Sequence, residues 1–171
     1  MKEMVRYGFI LTLICMAASA SLAAVNMVTK SKIISQAKAE EELSLKEVLP
    51  QAAHFEPVKS GNDTIYYKAH DRDGKIIGAA FKASGKGYSS TIETMVGMLC
   101  DGSIAAIKVI SQNETPGLGA RVVEPGFTGE FRNQKDLDSV QAITGATISS
   151  RAVIESVKNK AQEIRALIKN E

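Results

Sequence analysis

From Gly8 to Val28 the chain reads GFILTLICMAASASLAAVNMV, 21 residues without a charge. A helix of about 20 such residues crosses the hydrocarbon core of a bilayer, so this segment is set apart from whatever follows it. Lys2 and Arg6 precede the run, and small residues such as Ala18-Ser19-Ala20 lie within it, which is also the pattern of a cleaved signal peptide. The run exceeds a usual signal core in length, and that favours a retained anchor over residues 7–28. Cys15 follows Leu13 and Ile14, not the small residue a lipid-modified cysteine wants. Lys30, Lys32 and Lys38 beyond the run offset Lys2 and Arg6, so the positive-inside rule does not orient the anchor.

The 171 residues leave a single-domain length beyond that anchor. Residues 1–28 hold two of the 21 basic and one of the 19 acidic residues, and the remainder is close to charge balance. No basic face stands out, which argues against nucleic acid as a partner. Cys15 and Cys100 lie far apart, and no C-x-x-C is present to hold zinc or an iron–sulfur cluster. His54 and His70 stand alone, without a second ligand at metal spacing, and read as surface residues. Any redox activity therefore needs a bound organic cofactor.

Ser31 to Leu49 carries Ile33, Ile34, Ala37, Leu43, Leu45 and Val48 at loosely helical spacing, and Pro50 stops it. A juxtamembrane helical segment is expected over 29–49, with Glu40-Glu41-Glu42 as a solvated face. Strands follow. Thr64–Ala69 and Lys75–Lys82 flank Asp73-Gly74, Gly85 to Gly87 reads as a break, and Tyr88–Leu99 and Ile104–Ser111 flank Asp101-Gly102. Two Asp-Gly turns between apolar runs signal hairpins, hence an antiparallel sheet. From Ile148 an apolar stripe runs through Ala152, Val153, Val157, Ala161, Ile164 and Ile168 at steps of three or four, the mark of an amphipathic helix packed on that sheet. Lys158, Lys160, Glu163 and Arg165 cover its wet side. The fold class is α+β, a single domain over 50–171 with an antiparallel sheet flanked by helices.

Two loops carry chemistry. Thr144-Gly145-Ala146-Thr147-Ile148-Ser149-Ser150 feeds the last helix, and a helix N-terminus with unpaired amides and a positive dipole end is a ready anion site. Gly145 and Ala146 allow close backbone approach, and Thr147 presents a hydroxyl where a phosphate would sit. A plainer reading is that Thr144 or Thr147 simply caps the helix. The other loop, Thr115 to Gly119, cannot be regular structure, since Pro116 removes a donor while Gly117 and Gly119 open conformations closed to other residues. Such a loop is either a plain connection or a surface whose amides meet the polar edge of a flat ring.

The stretch Ala142 to Val153, AITGATISSRAV, resembles the flavinylation motif of the FMN-binding domain family. Asn113-Glu114-Thr115-Pro116-Gly117-Leu118-Gly119-Ala120 resembles that family's flavin-side loop, and Gly87-Tyr88 with Ile92-Glu93-Thr94-Met95-Val96-Gly97 resembles its central strand. With the anchor, these matches are most similar to the G-subunit family of Rnf-type ion-translocating oxidoreductase complexes. The resemblance implies FMN attached by a phosphoester to Thr147, with Thr144, Gly145 and Ala146 around the phosphate and Glu114, Thr115, Gly117, Leu118 and Gly119 along the ring. Arg121 is a further candidate beside the ring if it points inward. Where many members carry an acidic residue this chain has Gln141, with Asp138 as a substitute if the loop allows.

The resemblance also implies a single-pass protein of the cell inner (cytoplasmic) membrane, with its flavin domain on the extracytoplasmic side. Expected partners are the rest of the complex, with its A, D and E membrane subunits nearest, an FAD:protein FMN transferase for maturation, and membrane lipid through the anchor. The expected function is electron relay within a ferredoxin–NAD-linked translocase, with no independent substrate chemistry. Two alternatives stay open: the C subunit of the sodium-translocating NADH:quinone reductase, and the flavin-binding module of an extracytoplasmic reductase.

Overall fold

The structure is a computed structural model and describes residues 2–61 and 63–169; Asn170 and Glu171, at the end of the expected domain, lie outside them. The stretches expected as anchor and juxtamembrane segment share one helix, α1, over Lys2–Val48. No glycine or proline stands between Gly8 and Pro50, so nothing in the sequence interrupts it. Within the apolar run the hydroxyls of Thr12 and Ser21 donate to carbonyls one turn back, at 2.9 Å each, which satisfies them without an outside partner. The helix contains a stretch long and apolar enough to cross a membrane.

Chain contacts divide the protein into two compact units, Met1–Glu40 and Glu41–Glu171. The second holds a five-stranded antiparallel meander in the order β1 (His54–Ser60), β2 (Asp63–His70), β3 (Ile76–Lys86), β4 (Thr91–Leu99) and β5 (Ile104–Ser111). Gly74 and Gly102, at φ of 79° and 84°, make the two expected Asp-Gly turns. After β5 come short helical turns, including α2 (Pro125–Thr128), and then α3 (Thr147–Lys169).

Strand alternation gives the sheet two apolar faces. One buries Phe81, Ile92, Val96 and Ile104 against Val153, Val157, Ala161 and Ile164 of α3, with Val122, Phe127, Phe131 and Leu137 from the intervening turns. The other buries Ala69, Ala80 and Met95 against Leu45, Val48 and Leu49, the last turn of α1 and the residue after it. Polar contacts fix that turn in place. Glu41 accepts from the Tyr67 hydroxyl at 2.8 Å and pairs with Lys82 at 2.9 Å, while Glu47 pairs with Lys108 at 2.7 Å. Burial and the neighbouring Glu41 carboxylate push the Tyr67 hydroxyl up to about 12. Glu41 is therefore no part of a solvated face, as its run of glutamates suggests, but a tie between helix and sheet.

Other departures have local causes. β3 runs through Gly85, read above as a break, because α3 lies so close that a Cβ there would meet the Ala152 carbonyl oxygen at 2.3 Å. β4 begins at Thr91, since Gly87 to Ser90 turn toward Glu114. β1 has no alternating signal and contains Pro57, which an edge strand tolerates. His54 and His70, isolated in sequence, are register partners across β1 and β2, with ring centroids 6.4 Å apart.

The docking of α1 on the sheet makes a testable contrast. Leu45→Ala, at a 4% exposed position, lowers the stability of the folded domain by about 2–4 kcal/mol. Leu43→Ala, 60% exposed, changes it by less than about 0.5 kcal/mol. Thermal unfolding of the two variants beside the parent checks this.

Candidate functional site

α3 starts at Thr147, and the four residues before it form a turn in which the Ala146 amide donates to the Ile143 carbonyl at 2.9 Å. Gly145 sits there at φ 83°, a left-handed conformation that glycine takes without strain. The hydroxyl that closes the turn belongs to Ser150. It accepts from the Ile143 amide at 3.0 Å and donates to the Ala146 carbonyl at 2.9 Å. Among the described residues neither Thr144 nor Thr147 caps the helix, so the capping reading fails. The Ser150 amide reaches the Ala146 carbonyl, which leaves the amides of Thr147, Ile148 and Ser149 at an open helix end with no acidic residue in its first turn.

Against this end lies the loop after β5. The amides of Leu118 and Ala120 both donate to the Thr115 carbonyl at 3.2 Å, and Gly117 turns the chain at φ 74°. The loop presses on α3 at Gly119, where a Cβ would stand 2.6 Å from Ser149 Oγ and 2.8 Å from Glu114 Oε2. Any side chain there would force the loop away from the helix.

Glu114 joins the pieces. Its Oε1 accepts from the amides of Ser89 and Ser90 at 3.0 and 2.8 Å, and its Oε2 from the Tyr88 amide at 3.2 Å and the Ser149 hydroxyl at 2.6 Å. Ser90 Oγ adds a bond to Oε1 at 3.2 Å and accepts from the Asn113 amide at 2.8 Å. Burial alone would push this carboxyl up; the Ser149 hydroxyl and the amides of Ser90, Ser89 and Tyr88 outweigh it and hold the group below the usual glutamate value. It is a buried, ionised strut.

The three segments enclose a groove of about 420 Å³, within the range of small-molecule sites. Of the residues named from the sequence, Glu114, Thr115, Leu118, Gly119, Gly145, Ala146 and Thr147 line it. Thr144 and Gly117 are exposed turn residues outside its lining. Arg121 pairs with Glu124 at 3.5 Å and does not line the groove. Tyr88, Ile148 and Ser149 are added by the structure. Tyr88, 73% exposed, offers its ring at the mouth while its amide is fixed on Glu114. Asp138 pairs with Lys158, whereas Glu130 Oε2 accepts from the Gln141 amide at 2.9 Å, so a carboxylate stands beside position 141 although the residue itself is neutral.

Residues 87–162 match the model of the FMN-binding domain, and residues 1–48 that of the RnfG N-terminal region. The groove thus belongs to an FMN-binding domain. The chain is 34% identical to the G subunit of the ion-translocating oxidoreductase complex of Methanosarcina acetivorans, over 96% of both chains. It is 30% identical to the G subunit of the proton-translocating ferredoxin:NAD(+) oxidoreductase complex of Clostridium ljungdahlii, over 90% of this chain and 88% of that one. The chain belongs to the G-subunit family of Rnf-type ion-translocating oxidoreductase complexes. Its fold is similar to the crystal structure of NqrC from Shewanella oneidensis, with a TM-score of 0.51 at 20% identity over 70% of this chain and 74% of that one. At that identity the likeness concerns the fold alone.

The strut gives a pH-dependent expectation. The folded carboxyl of Glu114 is held below its unfolded value, so its contribution is complete above the ordinary carboxylate range and is lost as pH falls through the folded value. Glu114→Gln places an amide donor among donors and costs about 2 kcal/mol at neutral pH. Melting temperatures of variant and parent should differ most at pH 7 and converge in acid. A gap independent of pH would mean that the charge contributes nothing.

Proposed function

We propose that this chain is the electron-carrying flavin subunit of an Rnf-type, ferredoxin–NAD-linked translocase, and that it holds FMN through a phosphoester to Thr147. The observation that carries the reading is the exposed Thr147 hydroxyl at the uncapped start of α3, opening into the same groove as the Thr115–Gly119 loop. Bound FMN supplies reversible one- and two-electron chemistry at its ring. The protein's own residues hold and orient it. The amides of Thr147, Ile148 and Ser149, at the positive end of the helix dipole, would hold the phosphate. Leu118 and Tyr88 would offer apolar surface to the ring.

Charge supports a covalent link. Among the described residues no lysine or arginine lines the groove, and an ionised Glu114 does. A free phosphomonoester carries about −1.5 to −2 charge at neutral pH, which this groove answers only with a helix end. Esterification leaves a single negative charge and makes retention independent of affinity. Among the described residues no base of this chain is placed to activate the Thr147 hydroxyl, because Glu114 is committed to its own donors and no histidine lines the groove. The resemblance to the family supplies an FAD:protein FMN transferase as the maturation partner in this reading. The carboxylate of Glu130 beside Gln141 offers that enzyme an acidic feature near the motif.

By resemblance to its family, the chain sits in the cell inner membrane through residues 7–28, continues through a juxtamembrane segment over 29–49, and carries its flavin domain, 50–171, on the extracytoplasmic side. The A, D and E membrane subunits are its nearest partners in this reading. Intact mass and in-gel flavin fluorescence of the denatured protein, made in its own host beside Thr147→Ala, test the central claim. The expected result is a mass gain of one FMN less water and fluorescence that survives denaturation, both lost in the variant. An unmodified protein in a host whose transferase is active overturns the reading.

A further inference from the structure

The wall of the groove at the start of α3 carries one ionised side chain, and it is negative. Glu114 is 6% exposed and lines the groove, while among the described residues no lysine, arginine or histidine does so. The open end of α3 is positive, but it lies at Thr147, where the proposed phosphate would meet it. A ring in this groove is therefore left with the Glu114 carboxylate as its charged neighbour.

That carboxylate is saturated with donors. Two ionised oxygens offer about four lone-pair sites. Here Oε1 accepts from the amides of Ser89 and Ser90 and from Ser90 Oγ, and Oε2 from the Tyr88 amide and the Ser149 hydroxyl. Nothing is left to accept an N–H of the ring, so Glu114 reaches a cofactor through its charge and not through a hydrogen bond. The same donors keep it ionised against the cost of burial. A buried charge is screened less than a surface one, for which the Debye length is about 8 Å at physiological ionic strength. A groove of about 420 Å³ has a mean span of about the same length, so a ring held in it feels a charge in the wall.

We propose that the Glu114 carboxylate, fixed in the wall by its donors, lowers the reduction potential of the flavin held in this groove. The inference rests on FMN at Thr147, as proposed above. A ring that takes two electrons and one proton ends with one negative charge. In that reading the electrons come from a neighbouring redox subunit, which is oxidised, and the proton comes from water. Coulomb repulsion from the fixed carboxylate disfavours the added charge, so reduction needs a stronger donor than it would in a neutral groove. Glu114 thus has a second role beside that of strut, and the two are separable by experiment.

The full chain is made in its own host, and intact mass establishes FMN on each sample. A parent without FMN overturns both this inference and the reading it rests on. An FMN-bearing parent whose variants have the wrong potentials overturns this inference alone. Midpoint potentials are measured by spectroelectrochemical titration in mildly alkaline buffer, which keeps the reduced ring anionic. Glu114→Gln keeps the size and loses the charge, and should raise the potential by about 30 mV, a tenfold change in a two-electron equilibrium. Glu114→Asp keeps the charge but draws it back from the same donors, so it loosens the loop at least as much. Its potential should stay close to that of the parent. Leu118→Lys, at a 51% exposed position in the wall, adds a cation without touching the strut and should also raise the potential. An equal rise in Glu114→Asp, or no rise in Glu114→Gln, overturns the proposal. Should Glu114→Gln fail to fold, Leu118→Lys decides: no rise there puts the ring out of reach of charges in the wall, which overturns it too.

Discussion

One buried carboxylate organises the groove at the start of α3. Glu114 takes donors from the β3–β4 turn, through the amides of Tyr88, Ser89 and Ser90, and from the first turn of α3, through the Ser149 hydroxyl. Its own backbone belongs to the loop after β5. Three chain segments remote in sequence thus meet on two oxygens. A carboxylate that accepts several amide hydrogens is stabilised in its charged form, so the strut stays charged to a lower pH than an ordinary glutamate. Without it nothing polar would hold Gly119 against Ser149, and the Thr115–Gly119 loop would be free to leave the helix end.

The sheet makes this arrangement possible by having two apolar faces. One carries the end of α1, which leaves the other wholly to α3 and the turns before it. α3 then runs from this groove to the β4–β5 turn. Its N-terminus, open and positive, faces the site of Thr147, while its last turns carry Arg165, whose guanidinium donates to carbonyls of the β4–β5 turn and of Lys135. The same helix that positions the hydroxyl also pins that turn.

Local chemistry was legible in the sequence and long-range chemistry was not. Asp73-Gly74 and Asp101-Gly102 announce their hairpins because a left-handed glycine is a local requirement. The stripe from Ile148 to Ile168 announces α3 because its period is local too. Gly85 misleads, since the reason for a glycine there is the Ala152 carbonyl, 67 residues on in the numbering and invisible to any window. Glu41 misleads in the same way, its partners Tyr67 and Lys82 being supplied by the sheet. At the site, the motif residues were named but their division of labour was not. Ser149 reads as one more hydroxyl in a hydroxyl-rich run, and Tyr88 as a strand residue, until Glu114 draws both to the groove. A buried carboxylate in a glycine-rich loop could have raised the question of its donors.

Under the proposed phosphoester, the electrostatics of the groove give a reason for a bond where other sites rely on affinity. A site built to hold a phosphate reversibly usually brings a lysine or arginine to it; here the lining has none, and its one ionised group is negative. Adding a cation would tighten the phosphate but would also compete with the Tyr88, Ser89 and Ser90 amides for Glu114, loosening the loop that the ring rests on. In the proposed reading, fixing the phosphate to Thr147 would remove that conflict, because the groove would then need only to orient the ring. The strut would make the groove rigid at the expense of anion affinity, and the proposed tether would make anion affinity unnecessary.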